Sequence, residues 1–122
     1  MAVSEGFAEF LRDVLSGVGP VTIRKMFGGA GVYLDGVMFG LVVDDTFYLR
    51  GDETSAAGFE AEGKGPFVYR PKDRAPVTMP YWELPERLYD DPDQLAPWAR
   101  RALDIANRAR PAARRKSPRR GA

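Results

Sequence analysis

The glycine-rich segment 24–40 is the first place where this sequence could carry chemistry, since it holds five glycines in 17 residues. A glycine loop binds phosphate when it joins a strand to the N-terminus of a helix, as in the dinucleotide fingerprint Gly-x-Gly-x-x-Gly. Here Gly29 and Gly31 are followed by Leu34 at the third position. The P-loop pattern also fails, because Gly65 stands after Lys64 in place of Ser or Thr. The spacing therefore favours glycines that let the chain turn and pack closely in a sheet.

Acidic clusters are the next candidates, because carboxylates ligate Ca²⁺ and Mg²⁺ and act as general acids and bases. The clusters at 44–45 and 90–93 lack the Asp-x-Asp-x-Asp-Gly spacing of a calcium loop, and both stand where turns and helix caps use aspartate. The chain contains neither cysteine nor histidine, so no serine has a histidine to take its proton. We predict no catalytic residue, no metal and no cofactor, and hence no enzyme.

Basic residues suggest a second chemistry, which is contact with nucleic acid. Exposed aromatic rings beside arginine can stack on single-stranded bases, and Tyr48 with Arg50 and Tyr69 with Arg70 have suitable spacing. Alternating aromatics in strands are more often packing residues, which is the interpretation favoured here. The stronger signal is a C-terminal run that would contact phosphates without choosing a sequence, and its residues are Arg108, Arg110, Arg114, Arg115, Lys116, Arg119 and Arg120. The alternatives for the same run are a solubilising extension and a tether that folds back on the acidic body.

The charge distribution divides the chain into a body and a tail. Residues 1–107 hold 11 basic and 17 acidic side chains, a net charge of −6, whereas 108–122 hold seven basic side chains and no acid. The tail has no aromatic or large aliphatic residue, so we predict one domain over 1–107 and a disordered basic tail over 108–122. The longest apolar run, 37–43, is too short to cross a bilayer, and no secretory signal opens the chain. We predict a cytoplasmic protein.

The elements that would position these residues follow from hydrophobic periodicity. Segment 4–16 has the apolar stripe of a helix capped by Ser4. Three apolar runs at 30–34, 37–43 and 46–50 predict an antiparallel meander, preceded by an extended lead-in at 21–26. A short helix at 52–61, a hairpin from 67–70 and 76–79, and a last helix starting at 91–94 complete the order. Pro97 requires this helix either to start late or to kink. The fold class is α+β, in the order α-βββ-α-ββ-α.

The sequence resembles the TfoX N-terminal domain, the family that includes the Sxy/TfoX regulators of natural competence. The similarity begins with Arg-Lys-Met-Phe-Gly-Gly at 24–29 and covers about 7–106. Its motif residues, to which we assign structural roles, are Met26, Phe27, Gly28, Gly29, Gly31, Tyr33, Asp35, Gly36, Phe39, Tyr48, Phe67, Tyr69, Tyr81, Pro85 and Trp98.

The resemblance implies an α+β fold of a kind also seen in secretion-chaperone-like proteins, without enzymatic activity or an established cofactor. It suggests a regulatory module that binds a partner protein of the transcription machinery, and the acidic body suits protein contact better than DNA contact. The alternative is a nucleic-acid-associated protein that binds phosphates through its Arg-rich tail. Exposed strand edges would also permit a homodimer.

Overall fold

The structure, a computed structural model, describes residues 4–26 and 28–109. Three helices and six strands follow one another in the predicted α+β order. They are α1 Glu5–Val14, β1 Thr22–Met26, β2 Gly29–Leu34, β3 Val37–Val43, β4 Thr46–Arg50, α2 Ala56–Ala61, β5 Pro66–Tyr69, β6 Val77–Glu83, a 3₁₀ helix Glu86–Asp90, and α3 Pro92–Ala109. The fold class is therefore confirmed.

The six strands form one antiparallel sheet in the order β1-β2-β3-β4-β6-β5. Asp35 and Gly36 join β2 to β3 with φ angles of 51° and 80°, and Asp44 and Asp45 join β3 to β4 with 52° and 54°. These positive angles give hairpin turns whose twist matches the strands. One element exceeds the prediction, because the expected lead-in is a full strand, β1, which pairs with β2 over five residues.

Both long helices begin at side-chain caps. Ser4 Oγ accepts a hydrogen bond from Phe7 N at 3.1 Å, as the sequence predicts, and Asp91 Oδ1 accepts one from Gln94 N at 3.2 Å. Helix α3 starts at Pro92 and contains Pro97, so the alternative of a late start is wrong. Pro97 is exposed, which places the hydrogen bond it cannot make on the solvent side of the helix.

All helices pack on one face of the sheet. The core cluster joins Leu11 and Leu15 of the α1 region, Phe59 of α2, and Leu95 with other α3 residues to one alternating set of strand residues. Those strand residues are Ala30, Val32, Leu34, Val37, Phe39, Val42, Phe47 and Leu49. In β2 and β4 these residues alternate with residues that face the other way. In β3 the alternation shifts between Phe39 and Val42, where the pairing of β2 with β3 is irregular.

Helix α3 continues to Ala109, two residues past the predicted domain boundary at 107. Residues 110–122, which include most of the predicted basic tail, lie outside the described residues, so disorder and phosphate contact there stay predictions. Over 4–26 and 28–109, each helix is too short or too polar to cross a membrane.

Candidate functional site

The glycine-rich segment forms sheet backbone. Gly28 has a φ of 81° in the turn between β1 and β2, and a Cβ added at Gly29 would lie 2.4 Å from the carbonyl oxygen of Val42 on β3. That position therefore requires glycine, because no real Cβ approaches an oxygen so closely. Strand β2, rather than a helix N-terminus, follows the turn, so the arrangement lacks the geometry of a phosphate loop. Phe27 lies outside the described residues.

The acidic clusters act in turns and caps. Asp44 and Asp45 occupy the β3–β4 turn, and Asp45 Oδ1 accepts a hydrogen bond from Ser4 N at 3.0 Å, which ties this turn to the start of α1. Asp91 caps α3. Within the described parts of the chain, no three acidic side chains come together as a metal site.

The first candidate surface is the face of the sheet that carries no helix among the described residues, called here the open sheet face. It runs across all six strands, and its principal side chains are Arg24, Tyr33, Met38, Leu41, Tyr48, Arg50, Phe67 and Tyr81. The strand register puts them on the side opposite the core. Tyr33, Met38 and Met26 converge over Gly31, where an added Cβ would lie 2.9–3.1 Å from their atoms.

Two arginines cover rings on the open sheet face. The guanidinium carbon of Arg24 lies 5.8 Å from the ring centroid of Tyr33, and that of Arg50 lies 5.8 Å from the centroid of Tyr81. Tyr48 contacts Phe67 edge to face at 5.3 Å. Burial raises the pKa of Tyr81, and burial together with the charges of Glu83 and Asp44 raises that of Tyr48. These hydroxyls thus stay protonated in neutral solution.

This geometry is poor for base stacking, although the sequence spacing suits it. Tyr81 is only 7% exposed and already faces Arg50, and the ring beside Tyr48 belongs to Phe67 rather than to Tyr69. Tyr69 itself lies on the edge strand β5 and is 48% exposed. The face therefore presents a mixed aromatic, methionine and arginine surface of the kind found in protein contacts.

The second candidate is a cavity of about 250 Å³ between α2, α3 and the end of β4, called here the interhelix cavity. Phe59 and Trp98 form its aromatic wall with ring centroids 5.1 Å apart, and Gly58, Ala102 and Ile105 add small and apolar surface. Arg50 and Arg101 also line it. Sequence reasoning did not find this site, because its residues come from two segments, 50–59 and 97–105, that are distant in the sequence.

The polar groups of the interhelix cavity are only partly satisfied. Arg101 Nη2 donates to the carbonyl oxygen of Thr54 at 2.9 Å and to Thr54 Oγ1 at 3.2 Å. Ser55 is buried, and its hydroxyl exchanges hydrogen bonds with the backbone of Asp52. Arg50 Nε, in contrast, is enclosed by the chain and has no hydrogen-bond partner among the described residues, while the guanidinium group of Arg50 lies over Tyr81 on the open sheet face. Native proteins rarely leave such a donor without a partner.

Several other predicted residues have structural positions. Phe39 and Pro85 are fully buried, and Trp98 packs in the wall of the interhelix cavity. Arg108, the one described member of the predicted phosphate-binding set, forms ion pairs with Asp104 and, at 4.0 Å, with Asp52. It is therefore engaged within the folded body.

Comparisons with known proteins agree with the resemblance found in the sequence. The family model described as TfoX N-terminal domain matches residues 13–106. The chain is also 29% identical over 102 residues to the DNA transformation protein TfoX1 of Aliivibrio fischeri. That alignment covers 84% of this chain and 46% of the relative, so the chain spans about half the length of the protein it matches.

Proposed function

This chain belongs to the TfoX N-terminal domain family, and from that membership we propose that it is a non-enzymatic regulatory module that acts by binding a partner protein. The relative's name refers to DNA transformation, which supports a competence-related role. We take the partner to be a protein of the transcription machinery and the site of action to be the cytoplasm.

The observation that carries this proposal is the open sheet face. A six-stranded sheet is normally covered on its apolar face, and here the helices of residues 4–109 cover only one of two faces that both carry large apolar side chains. Tyr33, Met38 and Tyr48 remain half-buried on the second face. A face of this composition that lacks a covering layer is typical of an interaction surface.

The occupant is a protein whose contact patch is apolar at its centre and acidic around it. Arg24 and Arg50 are the basic side chains of the open sheet face. Glu83 and, from the β3–β4 turn, Asp44 place negative charge near Tyr48, and Glu83 is paired with Lys64 at 3.5 Å. The parts of the face around Arg24 and Arg50 are thus locally positive on a body whose residues 1–107 carry a net charge of −6. Complementary charge would steer an acidic partner to this face and away from the rest of the molecule.

Charge reversal on strand β1 tests the proposal with a matched control. Arg24→Glu reverses a charge on the open sheet face, whereas Lys25→Glu makes the same change one residue later on the other side of the strand. The full chain, immobilised as bait, should retain a specific transcription protein. Arg24→Glu and Tyr33→Ala should abolish that retention, and Lys25→Glu should leave it unchanged. The purified partner should then reproduce this order by calorimetry, and equal binding of all variants would refute the assignment.

The alternative, phosphate binding by the tail, has support from the sequence, because 108–122 hold seven basic side chains and no acid. Replacing Arg114, Arg115, Lys116, Arg119 and Arg120 by glutamine in the full chain tests it. Tail binding predicts that DNA affinity at low salt and the steepness of its salt dependence both fall. If the wild-type chain does not bind DNA at low salt, this alternative fails.

A further inference from the structure

From the lining of the interhelix cavity we propose that it binds a free aromatic monocarboxylic acid, with the ring against Trp98 and Phe59 and the carboxylate on Arg101. This inference goes beyond the proposed function and does not rest on it, because the residues that would hold the ring and the carboxylate, Phe59, Trp98 and Arg101, belong to α2 and α3 and not to the open sheet face. It would make the module responsive to a small molecule.

The volume of the cavity limits the size of the ligand. A cavity of about 150 Å³ holds benzene, and drug-sized ligands occupy about 300–1,000 Å³. At about 250 Å³, the interhelix cavity has room for one ring system and a short acidic side chain.

The lining sets the shape of the ligand. Phe59 and Trp98 meet at an interplanar angle of 77°, so a flat ring that stacks on one meets the edge of the other, an arrangement that aromatic groups favour. Gly58 keeps the α2 wall free of side-chain volume, and a Cβ there would meet only Trp98, at 3.9 Å. The walls therefore select a flat apolar body.

The charged groups set the sign of the ligand. Both ionisable residues that line the cavity, Arg50 and Arg101, are cationic. Arg101 uses Nη2 for its contacts with Thr54, and a guanidinium group carries further donors in a planar fork that suits a carboxylate. An anionic group is therefore the complement of the cavity lining, and Arg101 is the side chain that would bind it.

The test titrates the full chain with benzoate, phenylacetate and indole-3-acetate and follows NMR shifts and calorimetric heat. Phenylacetamide keeps the ring without the charge, and acetate keeps the charge without the ring. At least one aromatic acid should bind saturably, about tenfold or more tightly than phenylacetamide, and acetate should not saturate. The largest shifts should fall on the amide of Gly58 and the indole of Trp98.

Substitutions at Arg101 and Gly58 locate the site. Arg101→Gln should weaken binding about tenfold or more. Arg100→Gln is its control and should leave affinity unchanged, because Arg100 donates to the carbonyl oxygen of Gly17 at 3.2 Å and does not line the cavity. Gly58→Leu fills the cavity and should abolish binding, with Gly58→Ala as a milder version if the first does not fold. Arg101→Lys should restore part of the affinity.

The inference is overturned if none of the three acids binds saturably. Equal affinity for phenylacetamide would show that the charge has no role. Binding that survives in a folded Gly58→Leu variant, or NMR shifts on the open sheet face instead, would show that the cavity is not the site. None of these results bears on protein capture by Arg24 and Tyr33, so the two proposals fail separately.

Discussion

Replacement of Gly29 by alanine should destabilise the fold more than any other single-methyl addition to the glycine-rich segment. The added Cβ would lie 2.4 Å from the Val42 carbonyl oxygen, and an unstrained carbon–oxygen contact is about 3.3 Å or longer. Strands β2 and β3 would have to separate by about 1 Å, which stretches neighbouring ladder hydrogen bonds beyond their normal length of about 2.9 Å.

The expected loss is about 2–3 kcal/mol. It corresponds to two or three weakened hydrogen bonds at about 1 kcal/mol each, and it agrees with the usual cost of about 1–3 kcal/mol for overpacking a core. Against a domain stability of about 5–15 kcal/mol, the variant should remain folded at room temperature but unfold at clearly lower urea concentration.

Urea denaturation followed by tryptophan fluorescence measures this loss, and two glycines serve as controls. Gly6→Ala lies in α1 with nothing within 4 Å of the added Cβ, so it should stabilise the protein by about 0.5–1 kcal/mol. Gly28→Ala also has open space but a φ of 81°, and should cost about 1–2 kcal/mol. A Gly29→Ala variant as stable as wild type would refute the close approach of β2 and β3, and with it the structural interpretation of the glycines.

Three further predictions concern the hydroxyl and carboxylate groups of the body. Tyr89→Phe should lower the free energy of unfolding by about 1–3 kcal/mol in urea melts. The Tyr89 hydroxyl accepts a 2.8 Å hydrogen bond from Phe47 N, and the variant would leave this N–H group without its acceptor. Burial raises the pKa of three tyrosines, Tyr48, Tyr81 and Tyr89. The protonated tyrosines contribute their full share of folding stability below about pH 10, the ordinary tyrosine pKa, and this share is lost as the pH rises through their folded-state pKa values. Each Tyr→Phe variant should therefore lose less stability at alkaline pH than the wild type does. Hydrogen bonding to Arg87 lowers the pKa of Glu62, so that pair stabilises the fold above the ordinary glutamate pKa. As the pH falls through the Glu62 pKa, the wild type should lose this contribution to its free energy of unfolding, whereas Glu62→Gln should show no such loss.

The local turn and cap chemistry could be predicted from sequence because each of these features depends on a few adjacent residues. Asp35-Gly36 between two apolar runs specifies a turn with positive φ, and Ser4 before an amphipathic stripe specifies a helix start. The apolar alternation of 46–50 likewise predicts β4 with Phe47 and Leu49 on one face, which is where they lie.

The strands that the sequence described incompletely depend on their neighbours. Strand β1 contains few apolar residues, and its pairing with β2 rather than its own pattern makes it a strand. Strand β6 extends to Glu83 through Pro80, a residue that normally interrupts a strand. The carbonyl oxygen of Pro80 accepts a hydrogen bond from Gly51 N at 3.0 Å, so the side of Pro80 that lacks a donor faces the residue just after β4. Pro80 is tolerated there because the ladder between β4 and β6 ends at Arg50 and Tyr81.

The two faces of the sheet explain why motif residues alone did not reveal a site. Phe39 fills the core, while Tyr33, Tyr48 and Tyr81 belong to the open sheet face, which none of the described helices covers. A sequence pattern of alternating aromatics does not show which face will be covered. The covered face is the one on which the apolar stripes of α1 and α3 both pack.

The two arginines of the open sheet face can orient a bound partner, although the body as a whole carries a negative net charge. A body with a net charge of −6 repels an acidic partner at distances beyond about 8–10 Å only weakly, because salt screens the field. At contact, the local field of Arg24 and Arg50 dominates, and both guanidinium groups are already held over aromatic rings. Little side-chain entropy therefore remains to be lost when a carboxylate binds them. An acidic partner that meets any other face finds mostly like charge, so the same arginines that contribute affinity also determine the orientation of the complex.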